Sequence, residues 1–361
     1  MKNMKLRSTC LAVLLGLSLL PTSLRAEDIS MEDVWKYRAT GASFSDLPGT
    51  HWAYPQLINF FEADILVGNP NADNTVSIRP DDTVTRSEFV KLMVSALGLS
   101  SNSTGQLFQD VKPGDWFSEP VRVASALGII HGTSTTQFEP NRPITREEVA
   151  TVVANAFANS LTATEQDPNF TDIGTSWAQA NIREAARMGI VHGKSATLFE
   201  PKQSATRAEA VTMLSNGLQR EDTNLPSDTD LDNIVETYIE ESNNAIHSGE
   251  LQVLASLDDE YGTAYFKRKY NGIASKLQLM VAQGYRIDVR PTQNRQNPPL
   301  EITTVQKSNR FAVLNVKNAA YDYVYSKDGK TTYDFRVLYG KWLLRKTPGG
   351  QWKVYSLFDM P

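Results

Sequence analysis

Apolar residues recur at the same distances behind three tryptophans of the chain. They stand five, eight and eleven residues after Trp52, Trp116 and Trp177. The positions are Leu57, Phe60 and Ala63; Val121, Ala124 and Leu127; and Ile182, Ala185 and Met188. Residues with this spacing lie on one face of a helix. The pattern therefore predicts three short amphipathic helices, one in each copy of an internal repeat.

A second helix is predicted in each copy, because a threonine is followed three residues later by a glutamate. The pairs are Thr85 and Glu88, Thr145 and Glu148, and Thr206 and Glu209. This spacing forms a capping box, in which each side chain accepts a hydrogen bond from the backbone N–H of the other residue. Gly128 and Gly189 suit a left-handed end for the first helix, and Asp64 takes that place in the first copy. Before each second helix the chain turns at a proline, in Ile78-Arg79-Pro80, Phe138-Glu139-Pro140 and Phe199-Glu200-Pro201.

The hydrophobic pattern changes after Pro226. Helical spacing continues to about Gly284, and strand-like alternation follows, with Tyr321, Tyr323 and Tyr325 on one side of a strand. Helices followed by antiparallel strands predict an α+β domain at residues 229–361, joined by a polar linker at 221–228. We interpret the three tyrosines as core or sheet face; the alternative is the lining of a ligand pocket.

The first 26 residues have the composition of an export signal. Basic residues precede an apolar run from Leu11 to Leu20, which is about half of the ~20 residues that span a bilayer. We therefore predict cleavage after Ala26 and no membrane insertion afterwards. Cleavage removes four basic residues and changes the formal net charge from −5 to −9, which disfavours nucleic acid as a partner. Cys10, the only cysteine, lies inside the signal, so we expect no disulfide and no cysteine metal site in the exported chain.

An arginine follows the capping threonine in every copy, at Arg86, Arg146 and Arg207. This is the first helical position, where the helix dipole disfavours a cation by roughly 0.3–1 kcal/mol. One explanation is that each arginine pairs with a nearby acid of the protein, such as the aspartate of a neighbouring Phe-x-Asp. The other is that the guanidinium and the helix N-terminus together bind an external carboxylate. We favour the second explanation.

The ordered features of the three copies resemble the S-layer homology family. Each copy has Phe-x-Asp, a tryptophan, a glycine bend, a proline turn and a second helix that starts at Thr-Arg. The resemblance implies three all-α helix-loop-helix repeats, packed as a pseudo-threefold spindle with grooves between neighbours. We place the repeats at residues 42–103, 104–165 and 166–220, behind the signal (1–26) and an N-terminal segment (27–41). The family typically binds secondary cell-wall polysaccharide noncovalently, with pyruvate ketals as the anionic groups.

The resemblance also implies which residues contact the polysaccharide in these grooves. They are Arg86, Arg146, Arg207, Asp46, Asp110, Asp172, Trp52, Trp116, Trp177, Gly132 and Gly193. Three alternatives remain open: the aspartates cap the first helices, the tryptophans are hydrophobic anchors, and the glycines only permit turns. The first copy departs from the others through Asp64 and a longer loop between Gly68 and Ile78. We expect its groove to be the least complete.

The C-terminal region more weakly resembles the NTF2-like cone of some bacterial cell-envelope proteins. The resemblance rests on Ala245-Ile246-His247-Ser248-Gly249-Glu250 and on Gly340-Lys341-Trp342 and Gly350-Gln351-Trp352. Such cones host binding in some families and catalysis in others. A catalytic cone would use groups such as Asp322, Asp334 and His247, but none of them lies in a recognisable motif. We therefore expect a domain that binds a ligand or partner and is not an enzyme.

The signals for metal are weak. Asn69, Asn71 and Asp73 alternate as in a calcium loop, but no glutamate completes it. His131 and His192 lie in separate copies, and we interpret them as local structure.

We expect a secreted protein without cofactors that is held on the cell wall. The alternatives are a wall-anchored enzyme acting on envelope glycan or peptide, and a self-assembling surface-layer subunit.

Overall fold

The N-terminal part of the protein consists of three helix-turn-helix units. The computed structural model describes residues 44–270, 272–291 and 299–358; the predicted signal and N-terminal segment lie outside these ranges. Unit 1 (residues 44–98) contains α1 and α2, unit 2 (108–157) contains α3 and α4, and unit 3 (170–220) contains α5 and α6. The helices are α1 (Tyr54–Glu62), α2 (Arg86–Leu97), α3 (Ser118–Ala126), α4 (Arg146–Phe157), α5 (Gln179–Arg187) and α6 (Arg207–Arg220).

The predicted helix boundaries are confirmed by the backbone. Complete capping boxes start α2, α4 and α6. Asp64, Gly128 and Gly189 have positive φ angles of 54°, 71° and 69°, as the pattern predicts for the turn after each first helix. Unit 1 differs from the all-α prediction, because its longer loop forms a small hairpin of β1 (Asn69–Pro70) and β2 (Val76–Ser77).

The three units close into a ring through their backbones. The Val84 N–H donates to the Ala205 oxygen, Ala205 donates to Ile144, and Ile144 donates back to Val84, at 3.1, 2.8 and 3.0 Å. The helices follow the same cycle: α3 packs on α2, α5 on α4 and α1 on α6. Each unit therefore contacts both others, and their apolar side chains form one continuous core.

In the described residues after 227, four helices are followed by a five-stranded antiparallel sheet, which confirms the predicted α+β character. The helices are α7 (Asp228–Ser248), α8 (Val253–Tyr261), α9 (Ala264–Tyr270) and α10 (Gly272–Ala282). The strands are β3 (Arg286–Pro291), β4 (Glu301–Lys307), β5 (Phe311–Lys327), β6 (Lys330–Lys346) and β7 (Trp352–Phe358). Within the described residues, no helix is both long and apolar enough to cross a membrane.

The long strand β5 organises this sheet. The first half of β5 pairs with β4 and its second half pairs with β3. Strand β6 pairs with β5 along the whole length of β5, and β7 pairs with the C-terminal part of β6. A register shift between Val316 and Ala319 interrupts the pairing with β6, as expected where a sheet bends. Tyr321, Tyr323 and Tyr325 pack with Ile287 and Val289 in an apolar cluster, so the core interpretation of the tyrosines is confirmed.

The sheet packs directly on unit 1, a contact that the sequence did not predict. Val313, Leu343, Tyr355 and Phe358 join the core of the three units. The Tyr355 hydroxyl donates to Asn59 Oδ1 at 2.5 Å, and Arg345 donates to the Ala63 carbonyl. The predicted linker is also fixed, because buried Glu221 pairs with Arg310. The two parts of the chain are therefore docked and not separated by a free tether.

Candidate functional site

The starts of the second helices are already hydrogen-bonded to the next unit. The N–H groups of Arg86 and Ser87 donate to the Arg142 and Pro140 carbonyls, both at 3.0 Å. The third N–H, of Glu88, donates to the capping Thr85 hydroxyl. Units 2 and 3 repeat the first two bonds, from Arg146 to Gln203, Glu147 to Pro201, Arg207 to Asp82 and Ala208 to Pro80. The expectation that these helix N-termini supply free donors to an external carboxylate is therefore wrong.

The guanidinium of Arg86 is held inside the protein. It donates from Nε to the Phe138 carbonyl (2.8 Å), from Nη1 to Glu148 (2.8 Å) and from Nη2 to the His131 carbonyl (3.2 Å). It also lies 4.7 Å from the centre of the Phe138 ring, a cation–π distance. Only 6% of the residue is exposed. Arg86 is thus a structural ion-pair partner, whatever else it contacts.

Arg146 repeats this arrangement and Arg207 departs from it. Arg146 donates to the Phe199 and His192 carbonyls and pairs with Glu209 at 3.2 Å. Arg207 is half-buried and donates from Nη2 to the Val67 carbonyl at 2.7 Å. Its buried Nε has no hydrogen-bond partner among the described residues. The pairing acids of the first two arginines are the capping glutamates of the next unit, and not the Phe-x-Asp aspartates that we suggested.

The charge state of Glu148 follows from this packing. Burial alone would raise the pKa of the carboxyl. Hydrogen bonds from Arg142 and the Thr145 N–H, together with the positive charge of Arg86, outweigh burial and lower the pKa below its ordinary value. Glu209 has a lowered pKa through the corresponding contacts with Lys194, the Thr206 N–H and Arg146, again against burial. Both ion pairs are therefore charged near neutral pH.

The three aspartates of the Phe-x-Asp segments brace the proline turns. Asp110 accepts the N–H groups of Phe138 (2.9 Å) and Glu139 (2.7 Å), and Glu139 has a positive φ of 59°. A left-handed conformation costs roughly 1–2 kcal/mol for a residue with a Cβ, so the aspartate stabilises a strained turn. Asp46 and Asp172 hold Arg79 and Glu200 in the same conformation. Their hydrogen bonds show bracing and not the capping of the first helices.

The bend glycines are required by close packing. A Cβ on Gly132 would lie 2.4 Å from the Ser134 oxygen and 2.6 Å from the Phe108 ring. A Cβ on Gly193 would meet the Ser195 oxygen and the Phe170 ring at nearly the same distances. Neither glycine has a positive φ. The glycines thus allow the Phe-x-Asp phenylalanine to pack against the bend.

The three tryptophans lie on the surface. Trp52, Trp116 and Trp177 are 59%, 53% and 63% exposed. The residue after each tryptophan is the buried one: Ala53, Phe117 and Ala178. The tryptophans are therefore not hydrophobic anchors, and their exposed rings need another explanation.

Unit 2 carries a groove of about 380 Å³ to which all three units contribute. Its wall is formed by unit 2, Arg86 and Val90 of unit 1 lie on one side, and Trp177 of unit 3 lies on another. The unit 2 lining is mixed, with Ile129, Ile130, His131, Gly132, Thr133, Phe138, Ile144, Glu148, Thr151, Val152 and Asn155. The groove thus brings together three of the residues expected from sequence: Arg86, Gly132 and Trp177.

Other groove residues escaped the sequence analysis. Asn155 donates to the Ile129 carbonyl at 3.1 Å and fixes the groove wall. Asn216 makes the same bond to Ile190 in unit 3. Both stand nine residues after the arginine of their helix, a regularity that comparison of the copies could have found. The carbonyls of His131 and His192 accept from Arg86 and Arg146, and Val67 accepts from Arg207 in the same way, so these contacts do not use the histidine rings.

Two of the helix-turn-helix units match a known protein family. Residues 107–150 and 169–211, which fall in units 2 and 3, match the family model of the S-layer homology domain. The chain is an S-layer homology domain protein. Such domains place it among secreted proteins of the cell wall and cell surface.

The relatives of the chain include an enzyme, an S-layer protein and an anchoring protein. An endoglucanase of Bacillus sp. (strain KSM-635) is 28% identical over 177 residues, 48% of this chain and 18% of that protein. An S-layer protein of Bacillus thuringiensis subsp. finitimus is 27% identical over 183 residues, 49% of this chain and 21% of that protein. A cellulosome-anchoring protein of Acetivibrio thermocellus is 29% identical over 150 residues, 39% of this chain and 33% of that protein. The chain thus spans a third or less of each of these relatives.

Two of the three candidate catalytic residues of the C-terminal part, His247 and Asp322, have described side chains. His247 Nδ1 lies 2.5 Å from Asp288 on the surface, and Asp288 also pairs with Arg290. Asp322 lies on β5, opposite Arg290 in the register. The side chain of Asp334 lies outside the described residues.

Asp73 hydrogen-bonds Thr75 in the hairpin, and no group of three possible metal ligands occurs among the described residues.

Proposed function

We propose that the chain is anchored noncovalently to the cell wall by secondary wall polysaccharide bound in the grooves of three S-layer homology repeats. The observation that carries this proposal is the unit 2 groove, where an exposed tryptophan and a buried arginine from different units face one cleft. Unit 1, which lies outside the matched residues, is proposed as the first repeat because it closes the same backbone ring.

The chemistry of the groove suits an anionic sugar. The Trp177 ring offers a flat apolar face on which a sugar ring can stack. Thr133, Thr151 and Asn155 supply hydroxyl and amide groups beside the apolar wall of Ile129 and Ile130. A guanidinium has five N–H groups, and the described residues accept three from Arg86. The two others are the proposed donors to a carboxylate on the polymer, such as a pyruvate ketal.

The remaining predicted residues have supporting roles in this proposal. Arg146 and Trp52 would serve a groove on unit 3, and Arg207 and Trp116 a groove on unit 1. Asp46, Asp110 and Asp172 shape the groove ends through the turns that they brace, and Gly132 and Gly193 let the bends approach closely. The unit 1 groove is the least complete, because Arg207 keeps only the Nη2 bond to the Val67 carbonyl, and its Nε has no hydrogen-bond partner among the described residues.

For the C-terminal domain we propose an NTF2-like cone that binds a ligand or partner. The packing of α7 on the sheet supports this fold, since Leu231, Val235 and Ile239 share an apolar cluster with Leu314, Trp342 and Val354. The docking on unit 1 would hold this domain at a fixed distance from the wall.

A pull-down on purified sacculi tests the anchoring proposal. Residues 27–361 should bind intact sacculi and lose binding after acid extraction of the non-peptidoglycan polymer. A variant with Trp52, Trp116 and Trp177 changed to alanine should fold normally and bind poorly, whereas Leu107→Ala should bind normally. Leu107 is a matched control because it is also exposed, to 83%, on the same part of the chain. Undiminished binding of the triple variant, or equal binding to extracted sacculi, would contradict the proposal.

A further inference from the structure

A buried glutamate holds the indole of Trp177. Glu147, which is only 3% exposed, accepts a hydrogen bond from Trp177 Nε1 at 2.9 Å. It also accepts the Ser176 hydroxyl at 2.6 Å and pairs with Lys202 at 2.7 Å. The carboxylate therefore has three donors, all from unit 3, while its own backbone belongs to α4 of unit 2. Charge-assisted hydrogen bonds of this length are stronger than bonds between neutral groups.

This arrangement occurs at one of the three unit boundaries. The residue equivalent to Glu147 is Ser87 in unit 1 and Ala208 in unit 3, and neither side chain carries a carboxylate. The position before the tryptophan also differs, with Ser176 in unit 3, His51 in unit 1 and Asp115 in unit 2. Asp115 accepts the Lys112 N–H, and His51 accepts the Ala53 N–H and lies 3.6 Å from Asp81. Trp177 thus has a hydrogen-bonded anchor, whereas among the described residues Trp52 stacks on His51, with 5.7 Å between the ring centres, and neither Trp52 nor Trp116 has such a bond.

We infer that Glu147 is a positioning residue: it fixes the exposed Trp177 ring at the edge of the unit 2 groove and makes that groove the dominant site for the wall polymer. The inference rests on the proposed function. Its physical basis is preorganisation, because a side chain that is already immobilised loses less freedom when a ligand stacks on it.

The other two boundaries carry features that oppose sugar binding. At the unit 1 groove, the Lys91 ammonium lies 5.0 Å from the centre of the Trp116 ring, so one face of the ring is covered. On unit 3, Lys194 takes the place of Thr133 and pairs with Glu209, next to Arg146. A sugar would have only the other face of the Trp116 ring at the first place, and it would have to displace Lys194 at the second. In the unit 2 groove the corresponding residues are Thr151 and Thr133.

The test is a titration of residues 27–361 and its variants with the soluble polymer that acid releases from the sacculi. Glu147→Ala copies the residue of unit 3, and Glu147→Gln keeps an acceptor for the indole. The Trp177 indole N–H signal in a nitrogen–proton NMR spectrum, assigned by its loss in Trp177→Phe, reports the bond directly. Thermal unfolding confirms that each variant is folded.

We expect Trp177→Ala to weaken binding by about tenfold or more, as for a central tryptophan anchor. Glu147→Ala should shift the indole signal and weaken binding by roughly two- to tenfold, the range for one immobilised side chain. Glu147→Gln should restore most of the affinity, and Trp52→Ala and Trp116→Ala should change it by less than about twofold. A shifted indole signal with unchanged affinity, or equal losses for all three tryptophans, would overturn the inference while leaving wall anchoring intact. No binding of the wild-type chain would overturn both.

Discussion

Arg86 of unit 1 and Glu148 of unit 2 form a buried ion pair with 2.8 Å between Nη1 and Oε1. Glu148 also closes the capping box of its own helix by accepting the Thr145 N–H. One carboxylate therefore fixes a helix start and a boundary between units. The pair lies in the lining of the unit 2 groove, so the assembly of the ring and the shape of the groove depend on the same contact.

Removing the Arg86 side chain should destabilise the protein strongly. Arg86→Ala leaves Glu148 buried with one cationic partner fewer, and breaking such a pair costs about 3–5 kcal/mol. Because Arg142 still pairs with Glu148, we expect a loss of ~3 kcal/mol in the free energy of unfolding, measured in urea. Arg187→Ala is the control, since its pair with Glu184 is exposed and should contribute under about 1 kcal/mol. Equal effects of the two substitutions would contradict the structural role of Arg86.

The ion pairs also predict how stability depends on pH. The pKa values of Glu148 and Glu209 are lowered in the folded protein, so both carboxylates contribute stability above their ordinary pKa of 4.5. This contribution should be lost as the pH falls from 4.5 through the lowered folded values. Urea unfolding at several pH values between 7 and 3 measures the loss. The double variant Glu148→Gln, Glu209→Gln should be less stable at pH 7 but should lose less stability on acidification; an unchanged acid slope would refute this account.

The close packing at the bend predicts that Gly132 cannot carry a side chain. Gly132→Ala would place a methyl group within 2.6 Å of two carbonyls and a phenyl ring, and overpacking of this kind costs about 1–3 kcal/mol. Gly174→Ala is the matched control, because a Cβ there has no neighbour within 4 Å and the backbone has no positive φ. Thermal unfolding should show a lower midpoint for the first variant only. A normal midpoint for Gly132→Ala would show that the bend can relax.

Asp64 joins unit 1 to the C-terminal domain. Its carboxylate accepts the Tyr265 N–H at 2.7 Å, near the start of α9, and pairs with Arg268 at 2.9 Å. Asp64→Gly gives unit 1 the residue of the other units but removes this contact. We expect faster proteolysis between residues 220 and 228, because the unpaired donor costs about 1–3 kcal/mol at the contact between the domains. In the free energy of unfolding this loss is partly offset, since glycine relieves the positive φ of residue 64. Asp64→Asn keeps an acceptor and should stay close to the wild type. Equal resistance of Asp64→Gly to proteolysis would show that docking does not depend on this residue.

Local regularities of the sequence predicted much of the ring. The spacing of Thr85 and Glu88 fixed the start of a helix, and Gly128 marked the end of another, because both depend on residues near in the chain. The same local patterns could not predict that Trp177 is exposed and Ala178 is buried. Which of the two side chains is buried depends on how unit 3 packs on unit 2. The periodicity behind Trp177 identifies an apolar helix face but says nothing about the tryptophan itself.

Contacts between residues far apart in the chain were the main feature that the sequence did not predict. Arg86 and Glu148 are 62 positions apart, and any of several acids could have been the partner of the arginine. The contact of Asp64 with Tyr265 joins residues that are 201 positions apart. Its one trace in the sequence is an aspartate at a position where the other copies have glycine. We interpreted that aspartate as a poorer helix end. The structure shows that it is also a contact to another domain.

Hydrogen–deuterium exchange with and without the acid-released wall polymer tests the central claim most directly, because it locates binding in the whole chain at once. We predict slower exchange around the unit 2 groove, at residues 129–133 and 151–155 and near Trp177, with little change in residues 229–358. Protection confined to residues 229–358 would contradict the assignment of wall binding to the S-layer homology domains.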